Sequence, residues 1–233
     1  MELVHEPSIA ERFPDHLTAA VRIRGEGGLE PTPGAVAELR ERLGSPEAIE
    51  PARRAAEYWA GVFRAMGAKP RHRSSIDALV QRFDQLGSQE LAVDLPPSVA
   101  YYNLLSLAFG VPMGGYATAR IAGQVLRLTV PGKGRPFTPL GRPREVERTR
   151  GGEVAYLDEE KVVCRYWNLI DCDQTKLVGG EDDVLFVFDL VEDLLEGDAL
   201  AFLGRVKSQV QAAFGDHRVS SGLCGARAAS AAL

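Results

Sequence analysis

The chain has 233 residues, a formal net charge of −5 and a pI near 5.5. At 45% hydrophobic and 25% charged residues it reads as a globular protein, long enough to bury roughly 70% of its unfolded surface without a disulfide or metal. The acidic balance excludes a protein that lives on diffuse phosphate attraction and confines any nucleic-acid contact to a local patch.

Residues 17–24 alternate as a half-buried strand does, and residues 25–34 form a Gly/Pro-rich loop. Helical spacing follows over 35–43 and 51–66, where Tyr58, Trp59, Val62, Phe63 and Met66 form an apolar stripe suited to core packing. Gly67-Ala68-Lys69-Pro70 stops this helix, and Ser74-Ser75 supplies N-cap chemistry for another that runs to about Phe83. Lys69-Pro70-Arg71-His72-Arg73 is the best local basic patch, with a solvated loop as its plainer reading.

After Pro96-Pro97, residues 99–109 keep helical spacing until Gly110-Val111-Pro112-Met113-Gly114-Gly115 breaks it. Residues 124–130 alternate as a strand. Residues 153–157 and 161–167 form a hairpin about Asp158-Glu159-Glu160. Residues 183–190 are a continuous apolar run suited to a strand buried on both faces. A last amphipathic helix spans about 197–214, and the small-residue tail from 216 is expected to fray.

This pattern predicts an α+β fold: one mixed or antiparallel sheet with helices packed on a face. The expected division is an N-terminal strand and helical region at 1–90, a core with the last helix at 91–215, and a flexible tail at 216–233, forming one compact unit.

The three cysteines, Cys164, Cys172 and Cys224, lack the spacing of a zinc knuckle or disulfide framework, so no metal is expected. No apolar run reaches the roughly 18 residues of a membrane span. The N-terminus lacks the order of a signal peptide. A cytoplasmic protein with no membrane or DNA partner is the expectation by elimination.

Four pieces, in this order and spacing, resemble the B3/B4 editing domain of the phenylalanyl-tRNA synthetase beta subunit and its free-standing relatives. The first is Gly67-Ala68-Lys69-Pro70 with Arg73-Ser74-Ser75. The second is Tyr102-Asn103-Leu104-Leu105 followed by Val111-Pro112-Met113-Gly114-Gly115. The third is Pro136-Phe137-Thr138-Pro139-Leu140-Gly141 leading to Gly152-Glu153-Val154-Ala155-Tyr156. The fourth is Cys164-Arg165-Tyr166-Trp167-Asn168 with Thr175-Lys176-Leu177. The resemblance implies that family's fold and a pocket for an amino-acid-like molecule, with the aminoacylated end of tRNA as a further partner.

The chain departs from the synthetase pattern within that pocket. A histidine of the synthetase falls at Gly114, and its glutamate falls near 169–172, where Asp171 or Asp173 is the nearest carboxylate. Gly179-Gly180-Glu181 lies too late to replace it. In the fourth piece free-standing relatives usually read Arg-Trp-Asn-Trp-Arg followed by a polar residue and Ser, whereas this chain has Trp167-Asn168-Leu169-Ile170-Asp171-Cys172, with Leu169 and Ile170 in place of Trp and Arg. Losing Trp and Arg there removes a stacking surface and a bidentate donor, which points to a different ligand.

The resemblance therefore marks Asn103, Met113, Gly114, Gly115, Trp167, Asn168 and Thr175 as ligand-binding candidates, and Asp171, Asp173 and Lys176 as catalytic ones. Gly114-Gly115 reads either as a tight turn or as close-approaching backbone donors. Asn103 reads as a structural amide or a ligand contact. Trp167 and Asn168 divide between core-and-turn and pocket wall, and the 171–176 cluster is equally a solvated loop. Cys172 sits among acidic neighbours that raise a thiol pKa. None of His5, His16, His72 and His217 falls in the pocket segments, and no serine-triad or phosphate-loop motif is present.

Three functions follow. The first is trans hydrolysis of mischarged aminoacyl-tRNA, which needs no cofactor. The second is an amide-forming ligase of specialised metabolism that uses ATP and magnesium. The third is a non-catalytic binding module.

Overall fold

The computed structural model describes residues 1–69 and 71–233; Pro70, expected to stop a helix and to join the basic patch, lies outside them. The chain opens with β1 (Glu2–His5), the short helix α1 (Pro7–Arg12) and β2 (His16–Arg24). Helix α2 (Pro33–Arg42) starts where Thr32 Oγ1 accepts the Ala35 N–H. Helix α3 (Glu50–Ala65) buries Trp59, Val62 and Phe63 as its spacing requires, while Tyr58 is 37% exposed and leaves the stripe. Ser74 caps α4 (Ser75–Glu90), which continues past Phe83 through a break at Gly87, φ +70°.

Helix α5 (Pro97–Phe109) ends at Gly110 with φ +66°. A Cβ there would lie 2.7 Å from Pro51, so only glycine closes this helix against α3. Strands β3 (Met113–Ala117) and β4 (Val125–Thr129) follow, with the small ribbon of β5 (Pro136–Phe137) and β6 (Glu147–Arg148). The expected hairpin forms as β7 (Ala155–Leu157) and β8 (Val162–Arg165). Its turn is tied by Asp158 Oδ1, which accepts from the Glu160 and Lys161 N–H groups. Then come β9 (Ile170–Asp171), β10 (Asp183–Val191) and α6 (Ala199–Phe214), whose Asp198 cap accepts the Ala201 N–H.

The tail expected to fray instead forms β11 (Arg218–Gly225) and β12 (Ser230–Ala232). β11 runs antiparallel to β2, and β12 pairs with β1. Small residues are tolerated there because the pairing is backbone to backbone and the partner strands already carry the apolar side chains.

Two principal sheets replace the single one expected. A mixed six-stranded sheet runs β12-β1-β4-β7-β8-β9, with β1 and β4 parallel; an antiparallel four-stranded sheet runs β11-β2-β10-β3. The fold is α+β. The split follows from β10, a nine-residue strand flanked on both edges by β2 and β3, which leaves the shorter hairpin strands to pair elsewhere.

The two faces of β10 differ because side chains alternate along a strand. Val184, Phe186, Phe188 and Leu190 share one face. There Phe186 meets Tyr101 and Tyr102 of α5 and Phe214 of α6. Asp183, Leu185, Val187 and Asp189 share the other face, and their register partners on β2 are Arg24, Arg22, Ala20 and Thr18. Tyr156 of β7 crosses to this face and hydrogen-bonds both Thr18 and Asp189, so the mixed sheet covers it.

Candidate functional site

The loop after β8 separates two depressions. Its Tyr166 and Trp167 both take left-handed backbone conformations, φ +48° and +69°, which is rare for large side chains. Such strain, of order 1–3 kcal/mol per residue, persists only where the surroundings over-determine it. Here the Trp167 N–H donates to Val154 O (2.7 Å) and the Asn168 N–H to Tyr166 O (2.9 Å). The Trp167 ring meets His16, Phe13 and Trp59 edge-on at 4.3, 4.8 and 5.1 Å.

Beneath this loop lies a small, partly open cavity of about 50 Å³, whose wall includes Ser75, Gly114, Tyr116, Asn168, Asp171 and Asp189. Asp189 is 4% exposed. It accepts from Tyr156 Oη, from Trp167 Nε1 (3.1 Å) and from Asn168 Nδ2 (2.9 Å). Behind it, His16 Nε2 stands at ion-pair distance, and His5 Nε2 reaches His16 Nδ1 at 3.1 Å with the rings stacked. Burial, chiefly, lowers both imidazole pKa values, that of His5 to about 4.

Asp171 Oδ1 accepts from Tyr116 Oη at 2.8 Å. Burial is the main cause that raises the Asp171 pKa, and the nearby Asp189 charge adds to it. Gly114 makes room for this pair, since a Cβ there would lie 2.7 Å from Tyr116 Oη. Gly115 is equally constrained on the opposite face, 2.5 Å from the Tyr102 ring. Both glycines are strand residues paired with β10 rather than a turn, and it is side-chain space that demands them.

The second depression is an open cleft of about 580 Å³, and Leu169 and Ile170 line it as well as the cavity. Its cations are Lys69, Arg71, Arg142, Arg148, Arg150 and Arg165, against the single carboxylate Glu147. Arg165 is fixed by a bidentate pair with Glu153, at 2.9 Å for both bonds, and by Glu147 at 2.8 Å. His72 also lines the cleft; burial and then the charges of Arg71, Lys69, Arg150 and Arg165 lower its pKa.

Met113, Gly114, Trp167, Asn168 and Asp171, marked from separate pieces of sequence, all line the cavity. Gly115 and Lys176 line an adjoining apolar recess that shares Asp171. Asp173 is spent on an ion pair with Lys176 (2.8 Å) and on the Gly141 N–H, so this pair does not enter the cavity. Thr175 is buried against Cys172 Sγ, and Asn103 is half-buried on α5 away from the cavity wall. The Cys172 thiol pKa is raised, but burial outweighs the acidic neighbours. Among the described residues, no three His, Cys, Asp or Glu side chains group to hold a metal.

Sequence reasoning missed Asp189, Tyr116, Tyr156, Ser75 and the histidines. His16 reaches Asp189 from β2, and His72 lines the cleft, although neither lies in the pocket segments as read from sequence. One signal was available: an aspartate within an apolar strand is almost never buried without a task.

A family model described as the B3/4 domain matches residues 58–196. Among solved structures, the chain is similar to an N-terminal fragment of the phenylalanyl-tRNA synthetase beta-subunit from Pyrococcus horikoshii, with 10% identity and a TM-score of 0.46. That similarity covers 93% of this chain and 49% of the other, so the chain spans about half the length of that fragment. No curated protein matches it.

Proposed function

The chain belongs to the B3/4 domain family, and from that premise we propose that it binds an aminoacyl ligand and hydrolyses mischarged aminoacyl-tRNA in trans. The observation that carries this reading is the junction at Leu169 and Ile170, where a small cavity holding two carboxylates lies beside a cleft rich in cations. A ligand with a cationic end and a phosphate-bearing end fits that polarity, and an aminoacylated nucleotide is such a ligand.

Asp171 is the group suited to the chemistry, since burial and the nearby Asp189 charge raise its pKa and make the carboxylate a stronger base toward the attacking water. Water attacks the ester carbonyl and passes its proton to Asp171. The acyl C–O bond then breaks, and the ribose oxygen leaves with that proton. Asp173 and Lys176 neutralise each other outside the cavity and take no part.

The test is deacylation of tRNAs charged in turn with different amino acids, with Asp171→Asn as the comparison. Release faster than buffer hydrolysis, lost in the variant, supports the reading. An ATP-magnesium thermal shift without deacylation would instead favour amide formation. Binding without turnover would favour a recognition module.

A further inference from the structure

We propose that the small cavity is a seat for a free primary ammonium group, with Asp189, Asn168 and Ser75 as its acceptors, so that ligands whose amine is acylated are rejected. This deepens the reading above and rests on its choice of site.

Donors and acceptors in the cavity wall do not balance. The wall's side-chain bonds to its carboxylates run from Tyr116 to Asp171, and from Tyr156, Trp167 and Asn168 Nδ2 to Asp189. Two oxygens remain over. Asn168 is only 8% exposed, and its Oδ1 is buried without a partner among the described residues; Ser75 Oγ is in the same condition. The Ser75 N–H donates to Asn168 O at 2.9 Å, which places the two residues side by side. Such groups cost free energy unless a ligand or water supplies donors.

Charge and size narrow the choice of ligand. The wall carries two carboxylates and no lysine or arginine, so an anion is repelled and a cation is drawn in. About 50 Å³ holds roughly three or four water-sized positions, enough for an ammonium group and the carbon that bears it, but not for an aromatic ring. A primary ammonium brings three N–H donors with its charge. A hydroxyl brings one donor and no charge, and an acylated amine brings one donor, no charge and added bulk.

The experiment compares alanine methyl ester, N-acetylalanine methyl ester and lactate methyl ester by thermal shift and calorimetry on the full chain at neutral pH. The expected result is that the free amine binds at least about tenfold more tightly than the other two, and that Asp189→Asn removes the preference. Should that buried variant fail to fold, Ser75→Ala at a half-buried position is expected to weaken amine binding severalfold while keeping the native melting temperature. Equal binding of the acetylated ester, no binding of the amine at millimolar concentration, or unchanged affinity in a folded Ser75→Ala would overturn the seat. tRNA deacylation without discrimination against the acylated amine removes the seat and keeps the hydrolase. Discrimination without deacylation does the reverse.

Discussion

His16 stands with its Nε2 3.5 Å from Oδ1 of Asp189, reaching from β2 toward a strand neighbour two residues out of register with it. The contact joins the two sheets, because His16 also receives His5 from β1. A buried imidazole pair thus backs the carboxylate that lines the cavity.

That arrangement sets a pH dependence. In the unfolded chain both histidines titrate near 6.5, while in the folded protein burial holds His5 at about 4 and lowers His16. Protons therefore bind the unfolded state more readily, and stability is full above about pH 6.5 and falls as pH drops toward 4. Asp171, with its raised pKa, acts in the opposite sense at the lower end. Melting temperature measured between pH 8 and 4 should fall through this window, and His5→Gln should flatten the curve.

Asp189→Ala would strand two buried donors, Trp167 Nε1 and Asn168 Nδ2, and leave Tyr156 Oη with Thr18 alone. Each unsatisfied group costs about 1–3 kcal/mol, so a loss of at least about 2 kcal/mol is expected in urea unfolding at pH 7. Asp189→Asn, which keeps one acceptor oxygen, should lose less. Equal stability of wild type and the alanine variant would contradict the buried network.

Gly114→Ala places a methyl group against Tyr116 Oη and should push the phenol off Asp171. A destabilisation of about 1–3 kcal/mol with a changed near-ultraviolet tyrosine signal is expected. Gly132→Ala, which meets nothing within 4 Å, serves as the matched control and should melt like wild type.

The cleft makes an ionic-strength prediction. If Arg148 and Arg150 each meet one phosphate, the Arg148→Ala/Arg150→Ala double variant should lower the slope of log K against log salt for tRNA binding by roughly 1.5–2. Fluorescence anisotropy across roughly 50–200 mM salt measures this. An unchanged slope would place the nucleic acid elsewhere.

The helices and the hairpin were legible because their signals are local. Apolar spacing gave α3 and α5, and Ser74 marked the start of α4. The tail was not legible, because β12 owes its form to pairing with β1 at residues 2–4, at the opposite end of the sequence. Asp189 was hidden for another reason. The run from 183 to 190 is apolar enough to read as buried on both faces, and only the register with β2 and β3 shows that one face carries chemistry. Five of the residues marked from the sequence, Met113, Gly114, Trp167, Asn168 and Asp171, line one cavity. Asn103 does not, because a helix turns neighbouring side chains to different faces, and Asp173 does not, because it finds Lys176 first.

The alternation along β10 makes the protein a practical starting point for changing ligand preference. Positions 114 and 116 on β3 and 187 and 189 on β10 all border the cavity, while the residues between them on β10 face the helices. A four-codon library confined to those positions would sample new pocket shapes and charges while leaving the aromatic packing around Phe186 unchanged; because Gly114 and Asp189 also hold the buried network, the melting temperature of each variant separates lost binding from lost fold.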